Sequence, residues 1–229
     1  MKKRRGERKR SRSRVVRGAG PPEKLTQSTL GNAKPFLLTD FEQRCAYSML
    51  HWCHGGGITC MEIDHFDPRK KLDRYQNYEN LFLASRHCNG AKRDIWPTDD
   101  ELMLRIRFLN CCEEWDYGDH ILEYPNTGFL YGVTRAGRFH IRVCHLNAEH
   151  LVKWRLERTK KRQEVHKLRS LLRRLMSILM SRSPSPEGRL IEQSRIAVEK
   201  ELAARNRELT ALIPRIPQVG GRSRQACES

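Results

Sequence analysis

The sequence predicts an α+β protein, on three observations. Residues 58–64 alternate apolar and polar like a half-buried strand stopped by Pro68, and a second short apolar run over 78–85 leads to a basic segment at 90–93 with helical character. Two further runs, 120–124 and 128–133, flank a turn made by Pro125, Asn126, Thr127 and Gly128. Residues 148–180 contain no Gly or Pro and repeat leucines at helical spacing. The chain therefore divides into a basic arm (1–22), a strand–strand–helix core (23–98), a helix with a small β appendage (99–147), and a C-terminal helical pair with a tail (148–229).

Taken in order, residues 1–18 hold ten Lys or Arg against one Glu, too polar to bury a core, and are expected to be a disordered arm able to condense onto phosphates. Phe41, Cys45 and Met49, with Tyr47 and Leu50, predict a helix over 39–52, followed by a flexible turn at the three glycines 55–57. After a break at Pro97, where Trp96 docks the exit on the core, Thr98 or Asp99 caps a helix over 101–110. The runs 120–124 and 128–133 form a β-hairpin, and 139–144 reads as a third strand. Residues 148–180 form one long amphipathic helix with ten Lys or Arg between Lys153 and Arg174. A Ser/Pro/Gly break at 181–188 precedes a second amphipathic helix over 189–213, so the two can fold as a helical hairpin.

The chemistry concentrates in the core. Asp64 and His65 end the first strand, where regular backbone would send them to opposite faces, so a turn is needed for both to serve one site. Asn80 opens the second run and Asn89 enters the basic helical segment beside that doublet. Asp64 and Asn89 offer hard oxygen donors, one charged and one neutral, suited to an octahedral Mg²⁺ or Mn²⁺ that keeps several waters. His65 is available as a base, and phosphodiester hydrolysis needs both a cation against the scissile phosphate and a base for the attacking water. Lys70, Lys71, Arg74, Arg86, Lys92 and Arg93 ring the doublet with positive charge, and Lys70, Lys71, Arg86, Lys92 and Arg93 are the candidate nucleic-acid contacts.

Glu62, Asp64, His65, then Asn80, Leu81, then Cys88, Asn89 and Lys92 stand in the order and spacing of the HNH (ββα-metal) nucleases, which this stretch resembles. The resemblance implies a ββα-metal core in which Asp64 and Asn89 hold the metal, His65 is the general base, Asn80 braces the loop through its amide, and Lys92 faces phosphate. It implies a DNA endonuclease or nickase leaving a 5′-phosphate and a 3′-hydroxyl, with defence against foreign DNA as one role in the family. One feature departs from the pattern. Where many HNH proteins hold structural zinc with two Cys-x-x-Cys pairs, this chain has Cys45 with Ser48 and Ser85 with Cys88. Each pair lacks one sulfur, so zinc is not expected and Cys45 and Cys88 read as buried thiols.

A net charge of +17 over 229 residues favours a polyanionic partner, here DNA. The eight cysteines lack a secretory disulfide spacing and no run approaches a membrane span, so the expectation is a cytoplasmic protein with no membrane contact. The C-terminal helices offer a seam for a homodimer or a protein partner. Two other functions remain compatible with the sequence: a basic nucleic-acid binder without activity, and a subunit that recruits a partner.

Overall fold

The computed structural model describes residues 14–71, 76–114, 117–180 and 186–212. The first thirteen residues of the basic arm, Arg74, the break at 181–185 and the tail beyond 212 lie outside them. The architecture is mixed: helices with two small antiparallel sheets. In chain order it runs α1 (Lys34–Asp40), β1 (Met61–His65), β2 (Leu81–Ser85), α2 (Arg86–Lys92), α3 (Asp99–Met103), β3 (Ile121–Glu123), β4 (Leu130–Gly132), α4 (Arg135–Val143), α5 (Glu149–Met180) and α6 (Pro186–Leu212).

β1 and β2 pair antiparallel with Met61 opposite Ser85 and His65 opposite Leu81, and every residue of β2 is buried. β3 and β4 form the hairpin read from the sequence. The apolar cluster is continuous from Val15 to Trp154, so β2, the 104–120 segment, α4 and the start of α5 share one interior. α5 and α6 extend from it as an antiparallel pair. In α5 the partly buried Leu168, Leu172, Leu175 and Leu179 continue from Val165 at alternating steps of three and four residues, the spacing of a coiled-coil seam. No helix among the described residues is long and apolar enough to cross a membrane.

Four local expectations are corrected. The helix expected over 39–52 does not form: α1 begins before it and ends at Asp40, and Glu42, Gln43 and Met49 adopt positive φ. A tight turn follows, with Arg44 bridged to His51, yet Phe41, Cys45, Tyr47, Met49 and Leu50 are buried as their apolar character requires. The helix expected over 101–110 stops at Met103 and gives way to Arg105 at positive φ; Thr98 caps it through a reciprocal box with Glu101.

The strand expected over 139–144 is the C-terminal part of α4. Thr134 accepts the Gly137 N–H as its cap, and Ala136, Phe139, His140 and Val143 are buried at helical intervals. That run satisfies both periods over so few residues, and packing against β4 selects the helix. Finally, residues 14–22 are tied down. The Val15 N–H donates to Cys111 O, and the Arg17 guanidinium donates to Tyr78 O at 2.7 Å and Leu81 O at 2.9 Å, pairs with Asp40, and lies over the Tyr78 ring. A buried arginine with that many acceptors is structure, whatever the composition around it.

The 104–120 segment is held partly by Glu114, which accepts from His120 and Arg107. The His120 hydrogen bond, with help from Arg107 and against burial, takes its carboxyl well below the usual 4.5, to about 2. A depressed carboxyl stabilises the fold above its unfolded value and loses that contribution as pH falls through its folded value. Glu114→Gln is therefore expected to unfold at lower denaturant than the parent at neutral pH. The gap should close as pH drops from about 4.5 to about 2, followed by urea denaturation across that range.

Candidate metal centre and nucleic-acid interface

The site is built from one strand, one loop and one helix. β1 is regular to its end, so Glu62 and Asp64 leave one face and His65 the other; the turn expected to bring Asp64 and His65 to one side is not made at the doublet, and the His65 ring is buried against Gln76. The loop after it is closed by Asn80: Oδ1 accepts the Asp67 N–H at 2.8 Å and Nδ2 donates to Asp67 O at 3.0 Å, while Phe66 N–H donates to Asn80 O. Asp67 caps the turn that follows by accepting from Arg69 N. Stacking of Phe66 on Phe82 and the edge of Trp96 against Phe66 seal the loop on the core.

α2 follows β2 with no residue between them, because Ser85, extended and last in the strand, accepts the Cys88 N–H as the helix cap. The helix thus starts earlier than the basic segment suggested. Asn89 is its fourth residue, and Arg93 lies just past its end at positive φ. Arg86, Asn89 and Lys92 recur at three-residue steps and share a face. That face meets β1 in a ladder. Arg86 Nε donates to Glu62 Oε1 at 2.9 Å, Asn89 Nδ2 donates to Glu62 Oε2 at 2.8 Å, and Lys92 Nζ lies 3.0 Å from Asp64 Oδ2 and 3.3 Å from Oδ1. Lys92 also donates to His65 O at 2.9 Å, and the Tyr47 hydroxyl donates to Asp64 Oδ2. Burial pushes the Asp64 carboxyl up from 3.8, against the pull of Lys92 and Tyr47.

Each sequence-predicted residue therefore has a partner, and the partners are not those expected. Asp64 is engaged by Lys92 and Tyr47, Asn89 by Glu62, and His65 by Gln76 Oε1 through Nε2. Lys92 does not face phosphate: its side chain is 0 % exposed, because the Asp64 carboxylate inside the fold takes its charge. Among the other four candidate contacts, Lys70, Lys71 and Arg86 are exposed and paired to Asp67, Asp94 and Glu62, and Arg93 donates to Gly90 O. Such surface pairs are weak enough to yield to a phosphate backbone. Tyr47 and Gln76 carry no local signal, since they reach the site from separate segments. The ladder itself was present in the spacing, as two carboxylates two apart on a strand and three polar side chains three apart on a helix.

The residues fit a hard divalent cation in donor type. Two carboxylates, Glu62 and Asp64, lie along a single strand–helix face, and the Lys92 ammonium already stands as a cation against both Asp64 oxygens; Asn89 turns its amide nitrogen, not its oxygen, to Glu62. Among the described residues no three His, Cys, Asp or Glu side chains gather as a metal site, a requirement Mg²⁺ does not impose because it keeps waters and substrate oxygens.

Behind the ladder, Cys45, Ser48, Ser85 and Cys88 are all buried. The Ser48 N–H points at Cys45 Sγ at 3.5 Å, and the hydrogen bond between the two thiols, together with burial, holds Cys88 well above its ordinary value. No protein-family model, curated protein or solved structure matches the chain.

Proposed function

We propose that this chain is a metal-dependent HNH-type endonuclease that hydrolyses DNA phosphodiester bonds. The reading rests on one observation: an antiparallel strand pair runs directly into a helix, with the strand's carboxylates facing the helix's polar side chains and an asparagine clasping the loop between the strands. Asp64 and Asn89 would hold Mg²⁺ or Mn²⁺, which when bound offsets charge on the scissile phosphate and the leaving oxygen. His65 is the base. Gln76 Oε1 accepts from its Nε2, a bond that fixes the tautomer and leaves Nδ1 as the nitrogen able to take a proton from water. Asn80 positions the backbone around that ring. For the Asp64 carboxylate to take a divalent ion, Lys92 would have to withdraw from it.

A second reading is favoured by a specific feature, the occupation of the Asp64 carboxylate, which is only 6 % exposed, by Lys92 and Tyr47. In that reading the ladder is structural and the protein binds nucleic acid without cutting it. Supercoiled plasmid separates the two. The endonuclease reading expects nicking with Mg²⁺ that EDTA abolishes and that His65→Ala lowers at least about 100-fold, the usual weight of a general base. Tight, salt-sensitive binding with no nicking in Mg²⁺ or Mn²⁺ establishes the binder instead.

A further inference from the structure

α5 is a 32-residue helix, about 48 Å long at 1.5 Å per residue. Its seam leucines turn toward α6, which leaves the side of the helix to be explained. There Lys153, Lys160, Lys167 and Arg174 recur every seven residues, a line of cations about 10.5 Å apart that drifts only slowly around the helix. All four are exposed. Lys153 is paired with Glu149, whereas Lys160, Lys167 and Arg174 take part in no ion pair among the described residues. From Val165 to its end α5 carries no acidic residue.

α6 differs in kind. Its Arg195 pairs with Glu192 and Glu199, and its Arg205 with Glu201 and Glu208, so much of its charge is matched internally. The line on α5 is thus neither a seam nor a set of salt bridges. It also starts beside α2: His150 packs its ring against His87 of α2 at 4.5 Å, and Lys153 lies one turn further on the same side of α5.

We infer that this line is a backbone-tracking surface for duplex nucleic acid, carrying the flank of a substrate whose other end lies at α2. From Lys153 to Arg174 it spans about 32 Å, close to one turn of B-form duplex at about 34 Å. Cations on a straight rod, with no acid between them over the distal half, match a polyanion of regular charge spacing. Exposed Leu171 and Ile178 lie beside the distal half of the line, and the vesicle arm of the test sets a lipid surface against the duplex.

The inference rests on the nucleic-acid partner of the proposed function but not on hydrolysis, so it is tested without cleavage. Fluorescently labelled random-sequence duplexes of about 10, 20 and 30 base pairs are titrated with the full chain in EDTA over a salt series. The triple variant K160E/K167E/R174E is expected to weaken binding at least tenfold on the longer duplexes and to flatten the salt slope by about three, at close to one ion per phosphate contact. On the shortest duplex the loss should be smaller. A matched change on α6, R189E/K200E/R207E, controls for net charge. Equal losses from the two triple variants, or an unchanged slope in the first, overturns the assignment, as does stripe-dependent binding to phosphatidylserine vesicles with no dependence on DNA. If the His65 plasmid test fails while the slope responds as stated, the stripe stands and the hydrolytic reading falls.

Discussion

Replacing Lys92 with methionine is expected to cost about 3–5 kcal/mol of folding stability at neutral pH, because it strands the Asp64 carboxylate in the interior. The lysine side chain is 0 % exposed, lies over the Tyr47 and Phe108 rings, and donates to both Asp64 and His65 O. Methionine keeps most of its volume and none of its charge. The deficit should depend on pH in an unusual sense. A carboxyl whose folded value is raised makes the fold less stable as pH climbs above the unfolded value, and Asp64 is already pushed up by burial with the ammonium present. Without Lys92 it moves further in that direction, so the gap between K92M and the parent widens from acid to neutral pH. Adding Asp64→Asn to K92M should recover part of the loss, making the pair less than additive by about 1–3 kcal/mol in denaturant titrations. If Asp64 is a metal ligand, Mg²⁺ stabilises K92M more than the parent, since the ion then replaces the missing positive charge. A metal-independent deficit favours the non-cutting binder.

Arg158→Met is the second large effect. Arg158 reaches from α5 to Glu123 on β3 with side chains 0 % and 7 % exposed, and its guanidinium lies over the Trp154 ring at 5.0 Å. One turn earlier, Arg155 donates to Gly128 O and, at 2.7 Å, to Leu146 O. These two arginines anchor the root of the helical hairpin to the small sheet. Loss of Arg158 removes the ion-pair partner of the Glu123 carboxylate and leaves it the longer-range pull of Arg155 and Arg162, a loss of up to about 3–5 kcal/mol, and Glu123→Gln in the same chain should return part of it. Hydrogen exchange distinguishes this from a global effect: amides of β3, β4 and the first turns of α5 should lose protection before those of β1 and β2.

Much of the architecture was legible because it rests on local rules. The long helices announce themselves by runs with few or no Gly and Pro and a leucine seam, and the β3–β4 hairpin by its turn residues; alternation over 58–64 places β1, but residues 58–60 form a 3-10 turn and the strand runs 61–65 without alternating burial. What misled the reading was competition between periods over short spans. Residues 135–143 hold an apolar pattern that suits strand or helix, and only contact with β4 decides. The 39–52 stretch has the composition of a helix, but its backbone turns back so that Tyr47 reaches Asp64.

By itself, then, the sequence determined the strand–strand–helix order over 61–92, the β3–β4 hairpin, the two long C-terminal helices and a surface dense in positive charge. Which charge ends where was a tertiary decision. Lys92 and Arg86 are both basic and both lie on α2, yet one is sealed inside against Asp64 and the other is on the surface with Glu62. The physical reason is desolvation. A carboxylate buried by the packing of β1 against the core must find a counter-ion within reach, and Lys92, on the inward side of α2, is the residue placed to supply it.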